Sequence, residues 1–197
     1  MNIPKIRIFK ATLLFFALSL FSGCGEAPDP AVQKPGGLAV GDKAADFALM
    51  DSQGHVMKLS DVQAGWNLVL ILYRGHWCSA CQNQLINLKD DYPKFTALHT
   101  ALAAVSVDPM EDSAHFTEEW RFPFPLLSDP KFQVIDAYGA HHPQGHEGKD
   151  ISRPAVIVID PQKIIRYKHV GTSPIDRPSD DEILFLLQQM EQKTPKK

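Results

Sequence analysis

Three continuous apolar runs punctuate the chain: Asn67 to Tyr73, Ala101 to Val107 and Ala155 to Ile159. Unbroken rather than alternating, they predict strands buried on both faces. Between them lie segments of helical period. Gln82 to Leu98 sets Leu85, Leu88 and Phe95 among polar residues. Ser113 to Trp120 predicts a helix opened by a Ser/Asp cap, and Ser128-Asp129-Pro130 opens another over Lys131 to Tyr138. Phe122-Pro123-Phe124-Pro125 cannot continue a helix. Earlier, Asp46 to Met50 and His55 to Leu59 flank the turn-forming Asp51-Ser52-Gln53-Gly54 and predict a β-hairpin, with a short helix capped at Ser60-Asp61 after it. Gly139 to Ser152 is polar and predicts a loop. Asp160-Pro161-Gln162-Lys163 turns the third run into Ile164 to His169, an edge strand of mixed polarity. Asp180 to Gln192 predicts an amphipathic helix with Ile183, Leu184, Leu186 and Leu187 facing inward. Strands alternating with helices make this an α/β chain, a mixed central sheet flanked by helices with a hairpin at its start.

The ends read differently. Lys5, Arg7 and Lys10 precede an apolar stretch, Ala11 to Phe21, too short to span a bilayer comfortably. Residues 1–23 therefore predict an export signal. Phe21-Ser22-Gly23-Cys24 resembles a bacterial lipoprotein cleavage box, which implies lipidation of Cys24; the alternative is an ordinary secretory signal. Residues 24–37, with Pro28, Pro30, Pro35, Gly36 and Gly37, predict a flexible tether. The folded domain is expected over 38–192, with 193–197 as a polar tail. Gly25 is not Asp, which by resemblance to enterobacterial sorting implies outer-membrane anchoring, facing the periplasm. The net charge is −3 and no basic run appears, which argues against a nucleic-acid partner.

The chemistry centres on Trp77-Cys78-Ser79-Ala80-Cys81, where a buried strand gives way to a helix. Unpaired N–H groups at a helix start favour an anion, and a thiolate is one. Two cysteines at this spacing read as a redox dithiol. A zinc site wants four ligands, and no second cysteine pair exists. A purely structural disulfide here closes too small a loop to constrain the unfolded chain much. His141, His142 and His146, with the two thiols, raise a copper-binding or copper-delivery alternative; solvated loop histidines are the plainer reading. Asp108 and Asp129, near strand ends, either contact the site or, as the plainer reading, cap the helices that follow. His76 is a candidate for proton transfer, but a loop histidine with no evident partner reads more plainly as solvated.

These residues join a wider resemblance. Gly41-Asp42-Lys43-Ala44-Ala45-Asp46-Phe47, Ser106-Val107-Asp108, Phe124-Pro125-Leu126-Leu127-Ser128-Asp129, Tyr138-Gly139 and Arg153-Pro154-Ala155 to Asp160 follow one another as in the peroxiredoxin family, the alkyl hydroperoxide reductase C and thiol-specific antioxidant group. The resemblance covers roughly residues 38–189 and implies a thioredoxin-like fold. It implies a thiol peroxidase acting on hydrogen peroxide or organic hydroperoxides, regenerated by an external thioredoxin-like dithiol, with no cofactor and no metal. Laid on the family pattern P-x-x-x-T-x-x-C, Cys81 is the attacking cysteine. Cys78 stands at the threonine position and Arg74 at the proline position, a form that resembles a dithiol-bearing branch. Arg153 is then the residue that holds the thiolate and the peroxide oxygen. A thioredoxin-type reading instead makes Cys78 the attacker in disulfide exchange. Trp77 and Pro154 then shape the groove for a partner, with a cis bond after Arg153, and Arg74 is a second cation nearby.

Overall fold

The computed structural model describes residues 36–193. The predicted signal, Cys24 and all but the last residues of the tether lie outside the described residues.

The described residues build a seven-stranded mixed sheet between two layers of helices. In chain order it runs β1 (Ala48–Asp51), β2 (Val56–Lys58), α1 (Leu59–Gln63), β3 (Asn67–Leu72), α2 (Ser79–Asp90), α3 (Tyr92–Ala97), β4 (Thr100–Ser106) and α4 (Met110–Trp120). Then come β5 (Leu126–Ser128), α5 (Gln133–Ala137), β6 (His141–His146), β7 (Lys149–Ser152), β8 (Ala155–Ile159), β9 (Ile165–Val170) and α6 (Asp180–Lys193). The strand order is β2-β1-β5-β4-β3-β8-β9, while β6 and β7 pair apart. β3, β4 and β5 are mutually parallel; β1, β2, β8 and β9 are antiparallel to their neighbours.

The apolar runs are buried because both faces of the sheet are covered. Leu68, Leu70 and Leu72 pack with Leu59, Val62, Val134, Ile135 and Tyr138 on the face that carries α1 and α5. Val69, Ile71 and Tyr73 pack with Leu85 and Leu88 of α2, Phe95, Phe116, and Ile183, Leu184 and Leu187 of α6 on the other. Of the four residues expected to face inward on α6, Leu186 is only partly buried. Its Ser179-x-x-Glu182 start is a capping box: the Ser179 backbone N–H donates to Glu182 Oε2 (2.7 Å) and the Glu182 N–H to Ser179 Oγ (3.3 Å).

Several elements differ from expectation for local reasons. The helix predicted over residues 82–98 is two, broken at Asp91, because Pro93 has no N–H and its ring clashes with a preceding carbonyl. α4 starts at Met110 with Pro109 as its N-cap, so the expected Ser/Asp cap is corrected; Ser113 is instead fully buried. β5 fills a gap between β1 and β4. The helix expected over residues 131–138 shrinks to α5, and Asp129 caps it, accepting from the backbone N–H groups of Gln133, Val134 and Ile135 at 2.8–3.0 Å. The loop predicted over residues 139–152 is the β6–β7 hairpin, turning on Glu147 and Gly148, both at positive φ, the geometry of a two-residue hairpin turn.

One carboxylate works against the fold at neutral pH. Burial, with Asp91 and Asp181 nearby, pushes Asp180 up to about 6. Its folded pKa lies above the unfolded value of about 3.9, so the folded state holds the proton longer. The contribution favours folding below pH ~4 and is lost as pH rises through about 6. Asp180→Asn is expected to raise stability at pH 7 by about 1 kcal/mol, discounted for partial exposure. It should also flatten the stability profile between those pH values, read by urea melts.

Candidate redox site

The sheet register assembles the site at one end. β3 runs to Leu72, opposite Ala155, the first residue of antiparallel β8. That register brings Arg153-Pro154 beside the end of β3, and Ala155 in turn pairs with Val170, the last residue of β9. The Gly171 N–H donates to the Pro154 carbonyl at 2.7 Å. The carboxyl end of parallel β4 brings Asp108 to the same edge, the end of an α/β sheet where ligands are usually met.

Cys78 and Cys81 are joined in a disulfide, with Cα atoms 5.2 Å apart. Cys78 is the N-cap of α2: its carbonyl accepts from the N–H groups of Cys81 and Gln82 (both 2.9 Å), and its sulfur accepts from the Cys81 N–H at 3.3 Å. The sulfurs thus meet the positive end of a helix of three turns. Cys81 is fully buried and Cys78 is 4% exposed.

The loop before them is clamped. Asp108 Oδ2 accepts from the His76 backbone N–H (2.7 Å) and the Ser106 hydroxyl (2.9 Å), and its Oδ1 lies 3.3 Å from His76 Nδ1. Asp108 therefore holds this loop rather than capping a helix. The Gln82 amide donates to the His76 carbonyl at 2.6 Å. Gly75 sits at φ 154°, and a Cβ there would strike the Trp77 indole and press on the Asp108 carboxylate. Burial, then the Asp108 charge, pushes the Tyr73 phenol up.

The β6–β7 hairpin closes over this loop. His146 stacks on Trp77, with centroids 3.5 Å apart and planes 11° apart. The Arg74 guanidinium lies 4.9 Å from the Trp77 ring centroid and donates to the Gly145 carbonyl at 3.4 Å. Among the described residues Arg74 has no carboxylate partner. The other two loop histidines go elsewhere. His141 bridges Asp136 (2.7 Å) and Asp150 (2.9 Å), while burial and then Arg153 and Arg74 push His142 down. Among the described residues no group of three or more His, Cys, Asp or Glu side chains is placed to hold a metal.

Arg153 is half-buried and lines a small pocket with Arg74, His142, Pro154, Gly171, Thr172, Ser173 and Pro174. Among the described residues it makes no hydrogen bond to either sulfur. The cis bond expected after Arg153 is corrected: every described peptide is trans, and Pro154 enters β8 with its carbonyl paired to Gly171.

The guanidinium that does reach a sulfur is Arg177, from the segment between β9 and α6. Its Nη2 is 3.8 Å from Cys81 Sγ, and its Nη1 donates to Gln84 Oε1 (2.6 Å) and the Ala80 carbonyl (3.3 Å). It also donates to the Pro174 carbonyl. Burial, then Arg74, pushes its pKa down. Sequence reasoning passed over this residue.

A model described as the AhpC/TSA family matches residues 40–168. The chain belongs to the AhpC/TSA family. It is 33% identical over 108 residues to peroxiredoxin bcp1 of Schizosaccharomyces pombe, covering 55% of either chain. It is 32% identical over 102 residues to the thiol-disulfide oxidoreductase ResA of Geobacillus kaustophilus, covering 51% of this chain and 58% of that one. The chain thus spans little more than half the length of those two relatives. The crystal structure of peroxidoxin BcpB from Mycobacterium tuberculosis superposes with a TM-score of 0.70 at 27% identity, over 78% of this chain and 98% of that one. This AhpC/TSA chain therefore has the thioredoxin-like architecture with its own dithiol at the strand-to-helix turn.

Proposed function

We propose that the protein is a thiol peroxidase that reduces hydrogen peroxide or organic hydroperoxides through the Cys78/Cys81 pair. The observation that carries this reading is the Arg177 contact with Cys81 Sγ at the start of α2, which favours an ionised sulfur at that position. The Cys81 thiolate attacks one peroxide oxygen and the O–O bond breaks. The peroxide's own proton stays on the oxygen now bound to Cys81, a sulfenic acid, and the departing alkoxide or hydroxide takes a proton from water to leave as alcohol or water. The Cys78 thiol displaces hydroxide from that sulfur, forming the disulfide seen here and releasing water. An external thioredoxin-like dithiol supplies the two electrons that reopen it. Arg153, with Arg74 beside it, favours the developing charge on the peroxide oxygen.

A second reading, disulfide exchange with Cys78 as attacker, has its own support. The Cys81 N–H meets Cys78 Sγ at 3.3 Å, Cys78 is the less buried sulfur, and one relative is named a thiol-disulfide oxidoreductase. Trp77 and Pro154 then border the partner's peptide. Peroxide consumption by the dithiol-reduced protein, measured beside its reduction of a protein disulfide such as insulin, tests the two. Rapid peroxide loss with slow insulin reduction is expected, and the reverse ranking sinks the peroxidase.

The same reading carries the chain on the cell envelope as a lipoprotein, with residues 1–23 removed and Cys24 acylated. The basic start, short apolar stretch and Cys24 support it. Cys24→Ala should move the protein from the membrane to the soluble fraction; unchanged membrane association counts against lipidation.

A further inference from the structure

A cleft of about 650 Å³ runs from the dithiol along one side of α2. Ala80, between the two cysteines, begins a stripe that continues through Asn83, Gln84 and Asn87 to Asp90 and Asp91, at helical spacing on one face. Asn83 and Asn87 are exposed. The opposite wall is the segment that leads into α6, from Ile175 through Arg177 to Asp180 and Asp181. From Ala80 to Asp91 the helix advances about 16 Å, at roughly 1.5 Å per residue.

Two observations ask for a ligand there. Gln84, in the cleft wall, is 6% exposed; its Oε1 is taken by Arg177, and its Nε2 has no hydrogen-bond partner. Buried donors without an acceptor are costly and rare in native proteins, and a peptide carbonyl supplies one. The second observation is charge. Five carboxylates, Asp90, Asp91, Asp180, Asp181 and Glu182, line the cleft. Lys89 pairs with Asp90 (3.7 Å), Lys94 with Asp91 (2.9 Å), and Glu182 serves the cap of α6. Among the described residues Asp180 and Asp181 have no cation within ion-pair distance; Lys94, whose charge they feel, is held by Asp91. Burial, with Asp91 and Asp181 nearby, already pushes Asp180 up to about 6. A cation arriving there relieves that crowding.

We propose that this cleft is the docking groove for the protein that reduces the Cys78–Cys81 disulfide, and that it takes an extended basic segment of that partner. The partner's cysteine lies at Ala80 and a Lys or Arg about five residues away reaches the carboxylates, at roughly 3.3 Å per residue. The proposal rests on the dithiol being redox-active. The amides of Asn83, Gln84 and Asn87 meet the segment's backbone, and Ile175, 79% exposed, offers an apolar contact. The chemistry is exchange. The partner's thiolate forms an S–S bond with one site sulfur, the Cys78–Cys81 bond breaks, and the other sulfur leaves as a thiolate. A second partner thiol then displaces the mixed disulfide, so the partner leaves oxidised and the pair gains two electrons. Because the site sulfurs are 4% and 0% exposed, a thiolate held beside them has an advantage over a free one.

The test uses the oxidised full chain, excess synthetic peptides and no peroxide. Each peptide carries one cysteine, a Gly/Ser spacer and a pair of Lys or of Glu, placed either about five residues from the cysteine or directly beside it. Opening of the disulfide is followed by alkylation and mass spectrometry. At low ionic strength the distal-Lys peptide is expected to react about tenfold or more faster than the distal-Glu peptide, the scale of electrostatic steering. Salt at about 0.5 M should remove most of that difference. Asp180→Asn with Asp181→Asn should shrink it at low salt while the rate with dithiothreitol stays unchanged. Equal rates for distal Lys and distal Glu overturn the groove, as does a preference that the double variant leaves intact. So does a preference as large with the charges beside the cysteine, which reports the peptide's own thiol acidity. A disulfide that dithiothreitol does not open removes the redox reading and the groove with it. A chain that consumes no peroxide but keeps the distal-Lys preference loses the peroxidase and keeps the groove.

Discussion

Cys81→Ser is expected to abolish peroxide consumption, by on the order of 10⁴-fold or more, as loss of a nucleophile does elsewhere. Cys78→Ser is expected to spare the first chemical step. In that variant a single equivalent of peroxide should still convert Cys81 to a sulfenic acid, trapped by a dimedone-type reagent, while turnover with the dithiol reductant slows because no internal thiol closes the disulfide. The asymmetry follows from the two environments. Both sulfurs are buried, and both sit at the start of α2. The Cys81 N–H partners Cys78, a single neutral donor, whereas Cys81 has a guanidinium at 3.8 Å. A full positive charge in a partly dry site outweighs one backbone dipole. The oxidoreductase reading expects the opposite. Cys81→Ser then keeps its attacking sulfur and accumulates mixed disulfides with partner proteins through Cys78, and Cys78→Ser loses that capture. Sulfenate formation on Cys78 rather than Cys81 sinks the order of events proposed here.

The parts of the molecule legible in its sequence are those where burial leaves a periodic trace. β3, β4 and β8 lie at the centre of the sheet with helices on both faces, so their apolar runs are unbroken. β5 is just as buried, but three residues carry no period, and only its two-sided pairing with β4 and β1 reveals it. The β6–β7 hairpin is polar because it stands apart from the main sheet; the Trp77–His146 stack and the Arg74–Gly145 hydrogen bond tie it to the site loop. The break at Asp91 had a visible signal in Pro93. For the site, cysteine spacing locates the dithiol, because both partners lie within one turn. The cation does not follow from spacing. Arg177 meets Cys81 across 96 residues, from a segment with no periodicity of its own, and only the β8–β9 register brings that segment alongside. The start of Arg177-Pro178-Ser179, a cation just ahead of a helix cap, is the one local clue.

Asp108→Ala is expected to carry the largest stability loss at the site, about 2–4 kcal/mol, or roughly 5–15 °C in Tm for a domain of this size. The carboxylate is 5% exposed and accepts from both the Ser106 hydroxyl and the His76 N–H. Truncation strands the two donors in a space that held a charge, and each buried donor without a partner is costly. The effect should also reach the chemistry, since the same carboxylate fixes the loop that delivers Trp77 and Cys78 to the start of α2. A looser loop lengthens the search for the geometry in which Cys78 meets oxidised Cys81. The disulfide-forming step should therefore slow by about tenfold or more, the scale of a small displacement in a positioned site. Asp108→Asn keeps an acceptor in place and should cost less than half as much stability. Chemical denaturation compares the two variants, and rapid mixing with peroxide separates sulfenate formation from disulfide closure. Equal destabilisation by Asn and Ala would show that the negative charge, rather than the acceptor geometry, holds the loop. Unchanged closure in a destabilised Asp108→Ala would confine this residue to the fold.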